Sequence, residues 1–572
     1  MTTLEEAFAA GYASLSAWAD LLDQINVFPV ADSDTGANLR ISLSPLRACD
    51  QDPEQTAERI IRSATGNSGN IAAAFFSALL GAASKGDLAQ GVDKGRTKAR
   101  QAVAAPKDGT MLTVFDSLGE ALERSAPLDA ASCAAILAVL RQTVLTTAQT
   151  LPDCRLAGVV DAGALGMYIF FDGFFRTLTG MEDSSPSLFA LFPGRLAVAA
   201  GYQGPASEAY CVDVLLAPAH DNPLDQAAVA ELGESVVVVP EHARLKIHVH
   251  TPDPQALRAR LAGLGDVAGW SAEPLAARSE GGTQAPVAGG CLHILTDAAG
   301  SLPRELARRY GISLLDSFIV HGDTTRPESL CEPETVYALM RQGHRLTTAQ
   351  ASLAERHQRY RSVCEEFGRT LYLCVGSAFT GNHGVALAWL RHQGSDPPLE
   401  VIDTGAASGR LGLIALLAGR LALRTDDAGA VKAQAMRLVE TCREYVFIDT
   451  LRYLVAGGRV SRAGGLFGDL LHLKPVISPT PEGVRRMGLV RSREAQLVFA
   501  LSKAAAAIGA PSRAVLLLQY SDNEAWVREV AQPRLQAQLP AAEILVVPLS
   551  LTSGVHMGPG TWSLAFAEDL NP

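Results

Sequence analysis

The sequence predicts a multidomain protein: an all-α N-terminal region, a small α+β middle domain and a two-lobed α/β C-terminal domain. Three observations predict it. Ala- and Leu-rich segments with helical spacing fill residues 1–180. Short runs rich in β-branched residues begin at about Arg195. Past a glycine-rich stretch, strand-like and helix-like segments alternate to the end. At about 150 residues per domain, 572 residues make three or four domains.

In the first region, helices are expected at Glu5–Gln24, Pro53–Ala64, Ile71–Ala83 and Cys133–Ala148, with Gly- and Asp-containing turns between them. In the second, Ala209–Leu216, Glu234–Val239 and Leu245–His250 read as strands, and Leu224–Leu232 and Asp253–Leu264 as helices. Arg278–Gly290, RSEGGTQAPVAGG, has no periodicity and reads as a linker. Beyond it, Cys291–Thr296, Thr370–Val375, Glu400–Asp403, Ala514–Gln519 and Glu543–Pro548 read as strands of a parallel sheet with helical crossovers. The expected division is 1–185, 195–277, the linker 278–290, and 291–572.

Composition narrows the function. With 49 basic and 60 acidic side chains the net charge is −11, and no basic tract offers a nucleic-acid surface. Apolar residues make up 48% and charged residues 19%, a globular profile. No apolar run is read as reaching the roughly 18–20 residues of a membrane span. Ser77 and Gly81 interrupt Ile71–Ala83, and Gly412 and Arg420 interrupt Leu411–Leu423. Glu5 and Glu6 stand where a signal peptide would carry lysines, and nine cysteines include no CxxC pair. A cytoplasmic protein with reduced thiols is expected.

The sharpest motif is Asn26–Leu39, NVFPVADSDTGANL, read as a turn because of Pro29 and Gly36. Asp32 and Asp34 on one short loop form a hard-oxygen pair suited to magnesium, which takes phosphate oxygens and waters as further ligands. The competing reading is a solvated Asp-rich turn, or a helix N-cap at Asp34. Three glycine-containing loops follow: TGNSGN at 65–70, PKDGTMLT at 106–113 and GVVDAGALG at 158–166. Each could present backbone N–H groups to phosphate at a helix start, although singly each is more often a structural turn.

In this order and spacing, NVFPVADSDTGAN, GNSG, DGTMLTV and GVVDAGALG resemble the DhaL-type domain, the helical ATP-binding domain of dihydroxyacetone kinases, and above all that of bacterial fatty-acid kinase. The resemblance implies an α-helical barrel that uses ATP and Mg2+. By it, Asp32 and Asp34 are the catalytic metal ligands, with Asn26 a third. Asn38, Gly66, Asn67, Ser68, Gly69, Thr110 and Asp161 would line the nucleotide. Ser33 departs from the glycine usual there, and Ala162 and Ala164 depart in the last loop.

Lys246–Thr251, KIHVHT, places His248 and His250 on one face of a strand, where two imidazoles could share a zinc ion with Cys211 of YCVDVLL as third ligand. Two histidines on a half-buried strand face are also ordinary. The segment resembles the middle domain of the same fatty-acid kinases, which implies zinc on Cys211, His248 and His250 in a structural or positioning role.

From Cys291 onward, ILTDAAGSLP, TAQAS, SAFTGN, VIDTG, GGRVS and HMGPG occur in the order found in DegV-type fatty-acid-binding proteins. That resemblance implies two α/β lobes around an apolar tunnel, with the carboxylate of a long-chain fatty acid at its mouth. A carboxylate leaving water needs donors or a cation. Thr348, Thr380, the Gly381–Asn382 backbone, His556 and Arg459 are expected to supply them. Thr380, Asn382 and Ala298 depart from the usual residues.

Taken together, the chain resembles a fusion of a kinase with its acyl-binding partner: an ATP-dependent fatty-acid kinase forming acyl phosphate in one chain. The linker would raise the effective concentration of one half at the other to about the millimolar range. The alternative is a non-catalytic fatty-acid carrier or sensor gated by ATP binding. Dihydroxyacetone kinase activity is disfavoured because no motif of the dihydroxyacetone-binding component occurs. Acyl-phosphate-using acyltransferases, transient contact with a membrane surface and a homodimer are the partners such a reading brings with it.

Overall fold

The computed structural model describes residues 3–49, 52–83, 87–125, 127–181, 186–204, 209–219, 231–241, 243–275, 291–322, 324–456, 473–508 and 513–568. The chain divides into two compact units, Met1–Ala285 and Pro286–Pro572. The expected linker 278–290, Arg459 with its GGRVS motif, and 224–230 of the expected Leu224–Leu232 helix lie outside the described residues.

The first unit opens with helices α1 (Leu4–Ala17), α2 (Ala19–Gln24), α3 (Thr35–Ser42), α4 (Pro53–Ser63), α5 (Gly66–Ala83), α6 (Leu88–Ala102), α7 (Met111–Glu123), α8 (Ala130–Thr150), α9 (Pro152–Ala157) and α10 (Ala162–Thr179). The expected Glu5–Gln24 helix is two helices that part at Trp18. Side-chain caps start many of them: Thr3 for α1, Asp52 for α4, Asp87 for α6, Asp129 for α8 and Asp161 for α10. Gly158 and Gly180 end α9 and α10 in left-handed backbone.

The bundle closes on aromatic rings. Phe75 of α5 stacks on Phe115 of α7 with centroids 3.8 Å apart. Phe76 meets Phe170 of α10 edge-on at 4.7 Å. Such rings bury large area and add about 0.5–1.5 kcal/mol per well-oriented pair. One expectation fails here. Among the described residues α8 is, by length and composition, long and apolar enough to cross a membrane. Arg141 and scattered threonines break its apolar run and hide it in the sequence. In the fold, Cys133, Ile136, Leu137, Leu140 and Val144 turn one face of α8 into the core.

The same unit carries a four-stranded antiparallel sheet, β1 (Tyr210–Pro218), β2 (Glu234–Glu241), β3 (Arg244–Thr251) and β4 (Gly265–Pro274), in the order β2-β3-β1-β4. Helix Pro254–Ala262 packs Leu257 and Leu261 on Val212, Val214, Ile247 and Val249. Val237 and Val239 of β2 join the helical core instead. Ala104 N–H, just after α6, donates to Val236 O at 3.0 Å. The sheet is thus seated directly on the helices.

In the second unit, β5 (His293–Asp297), β6 (Ile312–Leu315), β10 (Thr370–Cys374) and β11 (Leu399–Asp403) form a parallel sheet of order β11-β10-β5-β6. Strands β7 (Phe318–His321), β8 (Thr324–Pro327) and β9 (Thr347–Ala349) make a small antiparallel sheet. Strands β12 (Arg443–Phe447), β13 (Lys474–Thr480), β14 (Gly483–Val490), β15 (Ala514–Tyr520), β16 (Glu543–Pro548) and β17 (Trp562–Glu568) form a sheet of order β14-β13-β12-β17-β15-β16. The parallel expectation holds for the first sheet. In the six-stranded sheet only β15 and β16 run parallel, because β17 returns between β12 and β15 and pairs antiparallel with both.

Helix Ser408–Ala422 lies between the two larger sheets, with every residue but Arg420 and Leu421 buried. Gly412 makes the approach possible. A Cβ there would sit 1.9 Å from Gly300 O, so no larger residue fits.

Candidate functional site

The Asn26–Leu39 segment is a loop only as far as Asp34; α3 begins at Thr35. Asp34 occupies the N-cap position, but its side chain makes no capping hydrogen bond. The capping acceptor is Asp23 of α2, whose Oδ1 receives Ala37 N–H at 3.0 Å. The N-cap position, then, does not account for the Asp34 carboxylate. Asn26 Nδ2 donates to Asp32 Oδ1 at 2.6 Å, and Asp32 and Asp34 are both buried. Asn26 Oδ1 is buried without a hydrogen-bond partner. Two carboxylates and an orphaned amide oxygen on one loop fit a hard divalent cation such as Mg2+. Ser33 between them has φ 56°, a left-handed conformation that favours glycine.

Helix α5 begins at Gly66, five residues before the expected start, so Gly66, Asn67, Ser68 and Gly69 form its first turn. The N–H groups of a first turn lack intrahelical partners and suit an anion. Thr35 Oγ1 lies 3.2 Å from Ser68 Oγ, joining the starts of α3 and α5. Gly66 has φ +65°, and a Cβ there would be 1.9 Å from Asn38 Nδ2. Gly66 N–H itself is engaged by Asp213 Oδ2 at 3.0 Å. That leaves the half-buried Asn67 and Ser68 as the more approachable part of the motif.

Thr110 caps α7, accepting Leu112 N–H at 3.4 Å and donating to Lys107 O at 2.9 Å. Asp161 caps α10, accepting Ala164 N–H at 2.7 Å, while its own N–H donates to Thr147 Oγ1. Burial pushes the Asp161 carboxyl up to about 7, against its backbone donors. Asp161 thus holds the start of α10 in shape. The loops join in pairs: Lys107 Nζ sits 5.2 Å from the Phe28 ring centroid, and Gly163 abuts Met111, where a Cβ would be 2.7 Å from Cε. Loop 106–113 is thereby tied to Asn26–Asp34 on one side and to α10 on the other.

In the middle sheet, the β1/β3 ladder pairs Cys211 with His250 and Asp213 with His248. Alternation puts all four on one face. Ligand atoms of Cys211, His248 and His250 lie within 4.8 Å of one another, the three residues are buried, and Cys211 Sγ is 4.0 Å from His248 Nδ1. Burial, with His248 beside it, lowers the His250 pKa to about 3, so the ring is neutral, as a metal ligand must be. His248 Nε2 is buried without a partner. One sulfur and two imidazoles fit zinc with a fourth position to fill.

Asp213 is not singled out by the sequence. Its signal is present nonetheless, two residues after Cys211 on the same strand face. Burial raises its pKa, but His248 and Lys246 beside it and Gly66 N–H outweigh that, and the group lies well below the usual carboxylate range.

In the second unit, Thr348 Oγ1 and His556 Nε2 are 3.1 Å apart, joining β9 to helix Leu551–Met557. Glu328 anchors that helix, accepting from Thr552 N–H at 2.7 Å and Thr552 Oγ1 at 2.6 Å. Thr380 is half-buried, Gly381 exposed and Asn382 buried. Asn382 is otherwise engaged than the sequence suggests. Its N–H donates to Thr380 Oγ1, and Nδ2 donates to the buried Asp297 Oδ1 at 2.6 Å. Asp297 also receives Tyr372 OH and Val375 N–H. Asn382 therefore secures the end of β5, beside the exposed Gly381 and the half-buried Thr380. A cavity of about 260 Å³ in this unit is lined by Tyr310, Arg420, Leu423, Arg424 and Glu543, none of them expected at an acyl carboxylate.

Residues 29–176 match the DAK2 domain family, 207–280 the middle domain of the FakA-like fatty acid kinases, and 291–569 the DegV family. A DegV domain-containing protein of Caldanaerobacter subterraneus subsp. tengcongensis is 24% identical over 277 residues, 48% of this chain and 98% of the relative. One from Streptomyces coelicolor is 29% identical over 278 residues, 47% of this chain and 95% of the relative. A fatty-acid-binding DegV family protein of Thermus thermophilus, of known structure, is 27% identical with a TM-score of 0.45, covering 48% of this chain and 99% of its own.

Proposed function

From a chain that carries a DAK2 domain, a FakA-like fatty acid kinase middle domain and a DegV domain in series, we propose an ATP-dependent fatty-acid kinase that phosphorylates the carboxylate of a fatty acid held by the DegV domain. The observation that carries the reading is this series of three domains. The kinase half has a loop fit for Mg2+, and the DegV half has a hydroxyl–imidazole pair fit for a carboxylate.

A bound Mg2+ supplies charge neutralisation on the ATP phosphates. Asp32, Asp34 and Asn26 would hold it. The first turn of α5, with Asn67 and Ser68, orients the phosphates, and Thr348 and His556 fix the acyl carboxylate. A carboxylate oxygen attacks the γ-phosphorus in line; the bond from phosphorus to the β–γ bridging oxygen breaks, leaving acyl phosphate and ADP. The acceptor is a carboxyl that ordinarily ionises near pH 4, so at neutral pH it is already charged and needs no strong base. Positioning and electrostatics provide the acceleration. No disulfide joins the described cysteines, and a cytoplasmic setting would keep them reduced.

The test is to incubate the chain with ATP, Mg2+ and a long-chain fatty acid and trap acyl phosphate with hydroxylamine. ATP-dependent hydroxamate that is lost in Asp34→Asn supports the kinase. Lipid bound without hydroxamate overturns it in favour of an ATP-gated carrier or sensor.

A further inference from the structure

We propose that Asp213 is a positioning residue that couples the Cys211–His248–His250 metal centre to the nucleotide loop at the start of α5. The inference deepens the kinase reading and rests on it. Asp213 Oδ1 lies 3.4 Å from His248 Nδ1 and 3.8 Å from Lys246 Nζ. The same carboxylate receives Gly66 N–H at 3.0 Å, Thr65 Oγ1 at 3.3 Å and Asn70 Nδ2 at 3.0 Å. One side chain therefore touches a candidate metal ligand on one side and three groups of the phosphate-facing turn on the other.

The loop has little latitude to answer otherwise. Gly66 is in left-handed backbone and packed against Asn38, and its N–H is held by Asp213 Oδ2 at 3.0 Å. His248 would hold the metal and its ring would then be fixed, and through the ring the Asp213 carboxylate and the turn that presents Asn67 and Ser68. Any ligand that orders one end eases binding at the other, and the coupling must be equal in both directions. A buried aspartate satisfied by neighbours for stability alone would show the same bonds but no such coupling. The experiment must separate these.

The full-length chain, zinc-loaded or stripped with a chelator, is titrated with Mg·ADP by calorimetry, and its zinc content is measured. Stripping zinc is expected to weaken wild-type ADP binding by at least about fivefold. Asp213→Asn is expected to keep its zinc, bind ADP about tenfold more weakly and lose the response to zinc. Asp213→Asn that binds as wild type, or that is weaker yet still responds fully to zinc, overturns the proposal. So does a wild-type chain that takes up no zinc or ignores it. Should Asp213→Asn not fold, Asn70→Ala removes the loop-side bond to Asp213 Oδ1, and with it the bond from Asn70 Nδ2 to Gly66 O at 2.7 Å, and touches no metal ligand. It is expected to shrink the zinc effect at least about twofold, and an unchanged effect overturns the coupling. A wild-type chain that binds no nucleotide at all overturns the kinase reading and this inference with it. Wild-type binding with an indifferent Asp213→Asn overturns the role of Asp213 alone.

Discussion

Asn26 Nδ2 donates to Asp32 Oδ1 at 2.6 Å, and its other amide atom, Oδ1, is left buried and without a hydrogen-bond partner. An orphaned acceptor beside two carboxylates is costly unless a cation completes it. Asp32→Asn or Asp34→Asn should lower hydroxamate formation at least about 100-fold. Copurified fatty acid, measured by mass spectrometry, should be unchanged. Loss of lipid in the same variants would count against separate roles for the two halves.

Between the two aspartates, Ser33 tolerates a backbone conformation that β-branched residues rarely adopt. Ser33→Val should destabilise the first unit by about 1–2 kcal/mol and depress activity, whereas Ser33→Gly should preserve both. Thermal melts of the two variants side by side give the answer. Equal melting points would show that the loop relaxes.

Gly36, one turn into the motif, packs its α-carbon on the α2 backbone, where a Cβ would sit 2.0 Å from Ala19 O. Backbone cannot yield as a side chain can. Gly36→Ala should cost about 1–3 kcal/mol and displace Asp34 with the start of α3, weakening Mg·ADP binding. Unchanged calorimetry would show that α2 and α3 are free to part.

Burial pushes the Glu328 carboxyl up to about 7, with Asp316 acting in the same direction and the Thr552 donors against it. In the unfolded chain a glutamate ionises near pH 4.3. Between about pH 4.3 and 7 the unfolded chain has released a proton that the folded chain keeps, so this group's contribution to stability falls as pH rises through the window and is level above it. Relative to Glu328→Gln, the wild type should therefore lose urea resistance from pH 5 to pH 8. A difference that does not vary with pH would mean the carboxyl is not elevated.

Thr348 and His556 meet across 208 positions of sequence, at 3.1 Å. If they hold an acyl carboxylate, His556→Ala should lower retention of fatty acid at least about tenfold, since a buried charge then loses a donor. Lipid content after delipidation and reloading measures it. Retention equal to wild type would place the carboxylate elsewhere.

Much of this is legible in the sequence because the chemistry is local. Asp32 and Asp34 stand two apart in a loop, and His248 and His250 alternate on a strand. Asp213 is not, because its partners Gly66, Thr65 and Asn70 are supplied by a different domain, 143–148 residues away. Helix α6 is hidden because Gly91 and Gly95 weaken a polar helical pattern. The reason for Gly95 is tertiary: Phe75 lies where its Cβ would be. Strand β4 exposes most of its side chains, and its half-buried/exposed alternation is confined to Gly265–Gly269, too short a signal to read. The antiparallel return of β17 is a matter of pairing, which composition does not encode.

Helix Ser408–Ala422 packs on β5 and β10 to one side and on β12, β15 and β17 to the other, and its residues share one core with both larger sheets. A layer common to two sheets makes them one cooperative block. Amides of this helix should be the last in the second unit to exchange with deuterated solvent, and calorimetry should find no separate melting transition for either lobe. Breathing that admits a ligand would then belong to the small sheet and to helix Leu551–Met557 at the periphery, leaving the spine still.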